Sequence, residues 1–371
     1  MKKRQSPILP NVARSNIAVT YTVLLVVALC LSGRGLATTE DDASPSWFAQ
    51  APRTEDGRFT NVIGELFRGG ARVRLPFLWG RLKVVASPRD GEAPRVASGT
   101  AHFRAATRPT PNEPTVTWIG HATVLVEMDG VRFLTDPMWS KRASPLSFMG
   151  PARLVEPGIA LKDLPPIDFA MISHNHYDHM DLPTLEALAE INPEITYYVP
   201  LGNAELLRSR GLDKVVELDW TDSIEHDGVT VHCLPAQHWS KRSLGDDLEA
   251  LWSSWAVVGP SRRFYFAGDT GYFDGFAEIG ERLGPFDLAA LPIGAYTPTE
   301  LMRLTHMDPE QAVRAGLDLR ARRALAVHFG TFDLADEPLD EPPKRFIAEA
   351  ARQDPVRLPA WVFAVGEFRR F

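Results

Sequence analysis

The sequence is short of cysteine, of basic charge and of long apolar runs. Only Cys30 and Cys233 occur in 371 residues, so at most one internal disulfide can form, and the fold must rely on its core or on bound metal. The formal net charge is −7, which argues against a nucleic-acid partner because phosphate neutralisation requires a basic surface. No uninterrupted apolar run reaches the roughly 20 residues of a membrane-spanning helix.

The first 37 residues have the composition of a targeting segment. Four basic residues lie among the first fourteen, a mostly apolar stretch follows at residues 17–31, and small residues continue to Ala37. This order is typical of a secretory signal peptide. We therefore expect residues 1–37 to be a signal peptide or an N-terminal membrane anchor, with the protein exported (periplasmic or extracytoplasmic) or held at a membrane.

Strand and helix patterns fill most of the remaining chain. Residues 38–112 are loop-rich and are expected to form an extension packed on the main domain, with one short helix near residues 59–67. From Thr115 the pattern is β-rich, with a hairpin turn at Asp129-Gly130, and strands then alternate with helices up to a last strand at residues 361–368. This order predicts an α/β domain over residues 113–371, with two packed sheets, outer helices and chemistry at the strand ends.

One short segment is unusually rich in groups that bind metals. Residues 174–181 read HNHYDHMD and hold three of the ten histidines in the chain. His174 and His176 are two apart, so both can point into one cavity from a loop that follows a strand. Asp178 and His179 can reach a second cavity beside it. Each cavity would still lack ligands.

Three further residues complete the set, and each follows an apolar strand: His238, Asp269 and His328. The set predicts a site for two metal ions. The first ion takes His174, His176 and His238; the second takes Asp178, His179 and His328; and Asp269 bridges both. Imidazole and carboxylate ligands suit zinc, with other divalent metals left open. Seven ligands leave positions for a shared water, which a metal pair deprotonates near neutral pH.

The order H-x-H-x-D-H, followed by His, Asp and His at strand ends, resembles the metallo-β-lactamase fold, which implies a four-layer αββα sandwich over roughly residues 115–371. A narrower resemblance rests on TWIGHATVLVEMDG, PAQHWSKR, FAGDTGY, HMDPEQAV and HFGTF. These segments are similar to the N-acyl-phosphatidylethanolamine-hydrolysing phospholipase D family of zinc phosphodiesterases. The resemblance implies cleavage of an N-acylated phospholipid to phosphatidic acid and an N-acylethanolamine, through a hydroxide bound by two metals.

The resemblance also implies roles for individual residues. His306 matches a histidine near the substrate phosphate, and Asp178 is expected to orient the nucleophile as well as bind metal, so both are the catalytic candidates. Asp136 is expected to orient a metal-ligating histidine. Among the aromatic residues near the motifs, Trp239, Tyr272 and Tyr296 are candidates for contact with the substrate.

Two other functions stay open at this point. A lactonase or β-lactam hydrolase could use the same pair of metals on another substrate. A non-catalytic scaffold is the alternative from a different class, although such proteins usually lose metal ligands. The expected partner is a phospholipid or another phosphodiester, with membrane association and oligomeric state left open.

Overall fold

The protein is described by a computed structural model over residues 46–64, 70–86, 113–353 and 357–371. The signal peptide or anchor predicted at residues 1–37 lies outside the described residues. Among the residues that are described, no helix combines the length and the apolar character needed to cross a membrane. The described residues form two seven-stranded sheets with helices packed on them.

The first sheet contains both ends of the domain predicted over residues 113–371. Its strands are β1 (Thr115–Gly120), β2 (Thr123–Met128), β3 (Val131–Thr135), β4 (Phe169–Met171), β5 (Thr196–Pro200), β6 (Val215–Leu218) and β14 (Phe368–Arg370). Their order is β14-β1-β2-β3-β4-β5-β6, and β3 to β6 run parallel. The predicted hairpin turn joins β2 to β3, with Asp129 and Gly130 both at positive φ as a two-residue turn requires.

The second sheet has the strands β7 (Ser223–His226), β8 (Val229–Leu234), β9 (Ser254–Val258), β10 (Arg263–Phe266), β11 (Leu288–Pro292), β12 (Ala324–Val327) and β13 (Ala360–Trp361). Their order is β13-β12-β11-β10-β9-β8-β7, and β10 to β13 run parallel. Each sheet therefore places the carboxyl ends of several parallel strands along one edge.

The helices are α1 (Ala71–Ala86), α2 (Leu182–Ile191), α3 (Ala204–Arg208), α4 (Gly275–Arg282), α5 (Thr299–Met302), α6 (Pro309–Asp318) and α7 (Glu341–Gln353), with a 3-10 turn at Leu161–Asp163. Asp308 caps α6: its side chain accepts from the Gln311 N–H at 2.8 Å, and the Gln311 side chain accepts from the Asp308 N–H at 3.1 Å. This reciprocal pair explains why the helix begins directly after the His306 segment.

Side-chain alternation along the strands builds the layers. Val124 and Val126 of β2 point into the core between the sheets, whereas Leu125 packs on the opposite face with residues of α2 and α3. Phe133 of the first sheet stacks on Phe169 at 4.8 Å and meets Phe264 of the second sheet at 5.6 Å. Helices α4, α6 and α7 contribute buried residues against the second sheet, so the predicted αββα sandwich is confirmed.

Two of the predicted elements are wrong. Residues 59–64 form short β-bridges rather than a helix, because Gly64 adopts φ +87, and residues 65–69 lie outside the described part; the helix of this region is α1, after Gly70. The single strand predicted at residues 361–368 is two strands in different sheets, β13 and β14, with Gly366 at positive φ in the crossing. The polar edge strand β7 was not predicted, since its exposed residues lack an apolar pattern.

Candidate metal centre

The predicted ligands gather where loops leave the strands. His174 to His179 follow β4, and His238 follows β8. Asp269 follows β10, and His328 follows β12 directly. Gly268 makes the approach of Asp269 possible, because its φ is +61 and a Cβ there would lie 2.6 Å from the Ser173 Cβ and 2.9 Å from the Ser253 oxygen.

The first ligand group is formed by three imidazoles. His174 Nε2 lies 2.7 Å from His176 Nδ1, and His238 Nε2 lies 3.3 Å from the same His176 nitrogen. The three residues form one of the groups that could hold a metal ion, with all ligand atoms within 4.8 Å of one another. These are the residues predicted to hold the first ion.

The second ligand group joins carboxylates to imidazoles. Asp178 Oδ2 lies 3.2 Å from His179 Nε2 and 3.5 Å from His328 Nε2. Asp269 lies between the two groups: its Oδ2 is 3.2 Å from His179 Nε2 and 3.9 Å from His238 Nε2, and its Oδ1 is 3.2 Å from His328 Nε2. This position suits the bridging role expected of Asp269.

Hydrogen bonds behind the ligands set the ring orientations. Asp136 Oδ2 lies 2.6 Å from His179 Nδ1 and accepts a hydrogen bond from the Ser173 hydroxyl at 2.6 Å. His238 Nδ1 lies 2.9 Å from the Thr305 carbonyl oxygen, to which it donates. These contacts use the Nδ1 atoms of both imidazoles and leave Nε2 facing the cluster, as in metal sites with oriented histidines. Asp136 thus lies behind a ligand, where the resemblance put it.

The chemistry of these atoms fits divalent metal ions. Within the described residues, six buried atoms of the cluster make no hydrogen bond: His176 Nε2, His179 Nε2, Asp269 Oδ1, His306 Nδ1 and both ring nitrogens of His328. Buried polar atoms are almost always paired, so orphaned atoms at one place need an explanation. Nitrogen and carboxylate donors at this density match the ligand preference of zinc and neighbouring transition metals.

The shifted pKa values of the cluster also favour a bound cation. Burial raises the pKa of Asp269, but the nearby His179 and His328 outweigh it and hold that pKa well below its usual value. Burial lowers the pKa of His179, yet Asp269, Asp178 and Asp136 raise it well above its usual value, and the pKa of His328 rises to about 9 because neighbouring carboxylates outweigh burial. The buried Asp269 carboxylate therefore stays ionised and needs positive charge beside it, which a metal ion can supply.

One side of the cluster is open. The side chains of Asp178 and His306 are 14% and 12% exposed, whereas His174, His179 and His238 are fully buried. His306 Nδ1 lies 3.8 Å from Asp269 Oδ2, and the Trp239 ring lies 4.4 Å from the His176 ring. A substrate could therefore reach the cluster where Asp178, His306 and Trp239 are partly exposed.

The other two aromatic candidates are engaged elsewhere. The Tyr272 hydroxyl donates to Asp318 of α6 at 2.6 Å, and the Tyr296 hydroxyl donates to Glu341 of α7 at 2.7 Å. An arginine lies over each ring, 4.3 Å from Tyr272 and 4.8 Å from Tyr296. The structure thus gives both tyrosines packing roles against helices, and Trp239 is the one of the three aromatic candidates whose ring contacts the cluster.

Two residues at the centre were not predicted from the sequence. His121, in the GHAT segment, has Nε2 only 2.8 Å from Asp178 Oδ2. Asn61, from the N-terminal extension, donates to the His238 carbonyl at 2.9 Å and accepts from the His238 N–H at 3.1 Å. His121 lies in a recognisable motif and could have been predicted. Asn61 is 177 residues from His238 in the chain, so no local pattern in the sequence indicates their contact.

Replacing Asn61 by alanine should destabilise the protein by about 1–3 kcal/mol, because it leaves the buried polar groups around His238 without partners. The Trp252 indole, which also donates to the Asn61 side chain at 3.2 Å, loses that contact too. Urea unfolding of the two proteins measures the difference. Asn192→Ala is the control, since Asn192 accepts one hydrogen bond from the Ile167 N–H. Equal losses in the two variants would contradict a special role for Asn61.

Comparison with known proteins identifies the family. A profile of the β-lactamase superfamily domain matches residues 131–329, which is more than half of the chain. The chain belongs to the metallo-β-lactamase superfamily. It is similar to N-acyl-phosphatidylethanolamine-hydrolyzing phospholipase D 1 of Caenorhabditis elegans, at 48% identity over 228 residues, 59% of this chain and 64% of that one. It is also similar to an uncharacterized protein of Mycobacterium tuberculosis, at 42% identity over 81% of this chain and 80% of that one.

Solved structures support the same fold for this metallo-β-lactamase superfamily hydrolase. An isothiocyanate hydrolase from Delia radicum gut bacteria superposes with a TM-score of 0.56 at 22% identity, over 69% of this chain and 99% of the other. At this identity the likeness concerns the fold alone. The predicted fold and the resemblance to the phospholipase D family are therefore confirmed, while the reaction has to be argued from the site.

Proposed function

We propose that this hydrolase is a zinc-dependent phosphodiesterase that cleaves N-acylated phospholipids in the manner of a phospholipase D. The observation that carries the proposal is the complete donor set, with His306 and Asp178 on its open side. The nematode relative at 48% identity is named for this activity, which supports the choice of substrate. The matched segment spans less than two thirds of that relative, so the activity stays a proposal here.

Some residues of the site would bind metal, and others would contact the water or the substrate. The seven predicted ligands would hold two divalent cations, which supply Lewis-acid polarisation of a phosphoryl oxygen and acidify water. Asp178 reaches the open side and can accept a hydrogen bond from the attacking water, which fixes its direction of approach. The His306 imidazole can donate a hydrogen bond to a phosphate oxygen or to the leaving oxygen.

The proposed reaction balances with water as its only second substrate. The water oxygen forms a bond to phosphorus, and the bond from phosphorus to the oxygen of the N-acylethanolamine breaks. One proton of the water stays on or near the new phosphate, and the other goes to the departing alkoxide. The products are phosphatidic acid and the N-acylethanolamine.

Helix α1 supports a substrate that lies in a bilayer. Its exposed residues recur at helical spacing along one stripe: Arg72, Leu75, Pro76, Trp79 and Lys83. Leu75 is 51% exposed and Trp79 is 63% exposed, and the helix has four basic residues and no acid. An apolar and basic stripe fits the interface of an anionic membrane.

The same helix is bonded to the loop that follows His328. Arg81, on the inner side of α1, donates to Asp333 at 2.7 Å and pairs with Asp336 at 2.5 Å. Both carboxylates lie in the loop that follows His328. Docking of the stripe would therefore bring a lipid headgroup close to the site. Export or anchoring through residues 1–37 belongs to the same proposal, since both put the enzyme beside a bilayer.

Replacing both Leu75 and Trp79 by serine should weaken binding to vesicles of phosphatidylethanolamine and phosphatidylglycerol about tenfold or more, because two apolar side chains no longer enter the interface. Vesicle co-sedimentation measures the binding, and turnover of a small soluble diester should stay unchanged. Ile191→Ser is the matched control, since Ile191 of α2 is 47% exposed. The stripe has no docking role if the control loses as much binding as the double variant.

The experiment for the reaction itself is a substrate panel with the zinc-loaded enzyme. We expect hydrolysis of N-acyl-phosphatidylethanolamine and of bis(p-nitrophenyl) phosphate, with no turnover of lactones or β-lactams, and loss of both activities in His174→Ala. Turnover of lactones or β-lactams instead would establish the alternative hydrolase on the same site. Full metal binding with no hydrolysis of any compound would favour the scaffold.

A further inference from the structure

A buried histidine outside the predicted ligand set lies against the centre. His121 follows β1 in the short turn to β2, and 1% of its surface is exposed. Its φ is +53, in the left-handed region, which costs free energy for residues other than glycine, although histidine adopts it more readily than most. Such strain persists only where surrounding contacts enforce it, and it is common at functional sites.

The backbone of His121 is tied to the loop that follows β12. Its N–H donates to the Thr331 hydroxyl at 2.7 Å, and its carbonyl oxygen accepts from the His328 N–H at 3.0 Å. The Trp118 indole also donates to that carbonyl oxygen, at 2.9 Å. A turn of the first sheet is therefore fastened to a ligand-bearing segment of the second sheet.

The side chain reaches the other ligand-bearing loop. His121 Nε2 lies 2.8 Å from Asp178 Oδ2, and because an ionised carboxylate only accepts hydrogen bonds, the imidazole must donate. The same carboxylate lies near His179 and His328 through its Oδ2 atom. The His121 ring also packs 4.2 Å from the His328 ring. One residue thus contacts two ligands of the second group, one through its ring and one through both its ring and its backbone.

We propose that His121 is a positioning residue that sets the orientation of Asp178 and couples it to His328, so that the second metal position is formed. The inference rests on the proposed metal centre but not on the identity of the substrate. Without the donated hydrogen bond, the Asp178 carboxylate, whose side chain is 14% exposed, can rotate towards solvent. The second ion then loses a ligand held in place, whereas the first group, His174, His176 and His238, is untouched.

Three substitutions of His121 separate this role from a purely structural one. The amide nitrogen of glutamine reaches about as far as histidine Nε2, so His121→Gln keeps a donor for Asp178. The amide of asparagine is too short, but asparagine tolerates positive φ better than glutamine, and glycine tolerates it best. A positioning role predicts that glutamine preserves the site, whereas a backbone role predicts that asparagine and glycine do.

The experiment measures zinc affinity by competition with a chromophoric chelator, for the whole protein and without substrate. We expect His121→Asn and His121→Gly to bind the second ion about 10–100-fold more weakly than wild type, with the first ion unchanged, and His121→Gln to stay within about threefold. Each apo variant is first checked for the circular dichroism of wild type, and the two donor-free variants substitute for each other if one does not fold.

The inference is overturned if the asparagine or glycine variant binds the second ion as tightly as the glutamine variant. It is also overturned if all three bind two ions like wild type. A separate result would refute the proposed function alone. If wild type binds two zinc ions but cleaves no phosphodiester, the proposed reaction is wrong and the role of His121 can still be tested. Wild type that binds fewer than two ions removes the metal centre itself.

Discussion

Asp269→Ala should lower phosphodiester hydrolysis more than about 100-fold and remove at least one of two bound metal ions. The Asp269 carboxylate faces both groups: its Oδ2 lies 3.9 Å from His238 Nε2 of the first group, and its Oδ1 lies 3.2 Å from His328 Nε2 of the second. Loss of a residue that only orients a ligand already costs about 10–100-fold, so loss of the bridging ligand should cost more. Metal analysis by mass spectrometry and steady-state kinetics give the two readouts.

A control for that experiment lies five residues further along the chain. Asp274 is exposed and makes no capping hydrogen bond at the start of α4, so Asp274→Ala should keep wild-type activity and metal content. The role of Asp269 is refuted if its alanine variant retains two ions and turns over substrate within tenfold of wild type. In that case the bridging position belongs to another group.

Removal of metal should both abolish activity and destabilise the fold. The cluster buries ionised carboxylates among imidazoles, and in the metal-free protein a protonated His179 must supply the compensating charge. An ion that binds the folded state alone stabilises it by about 4 kcal/mol when its free concentration is a thousand times the dissociation constant. Thermal unfolding after chelation should therefore begin well below that of the zinc-loaded protein.

Zinc added back should restore both the melting temperature and the activity, and magnesium or calcium should not, because imidazole ligands favour transition metals. The His174→Ala protein provides an internal comparison, since chelation should lower its melting temperature by less than that of wild type. A chelated wild-type protein that melts at the same temperature as the zinc-loaded one would contradict a metal centre built into the core.

The candidate ligands could be proposed from the sequence because each has a local signal. His238, Asp269 and His328 all follow apolar strands, and parallel strands bring their carboxyl ends to one edge of a sheet. The αββα layers follow in the same way from the alternation of strands and helices. Features that depend on residues close together in the sequence can therefore be predicted before the structure is known.

The features that could not be predicted depend on contacts between distant segments. Asn61 and His238 are 177 residues apart, and nothing near either one marks the pair. Nothing in the sequence excluded the Tyr272 and Tyr296 hydroxyl groups from contact with a substrate. In the structure, both hydroxyl groups donate hydrogen bonds to carboxylates of helices α6 and α7. Proximity to a motif in sequence therefore did not decide what a side chain contacts.

The most direct measurement of the proposed function follows the oxygen of water into product. The zinc-loaded enzyme would be incubated with N-acyl-phosphatidylethanolamine in ¹⁸O-labelled water, and both products analysed by mass spectrometry. Attack of water at phosphorus predicts one labelled oxygen in phosphatidic acid and none in the N-acylethanolamine. Label in a free fatty acid, or no phosphatidic acid from an enzyme that carries two zinc ions, would contradict a phospholipase D reaction at this centre.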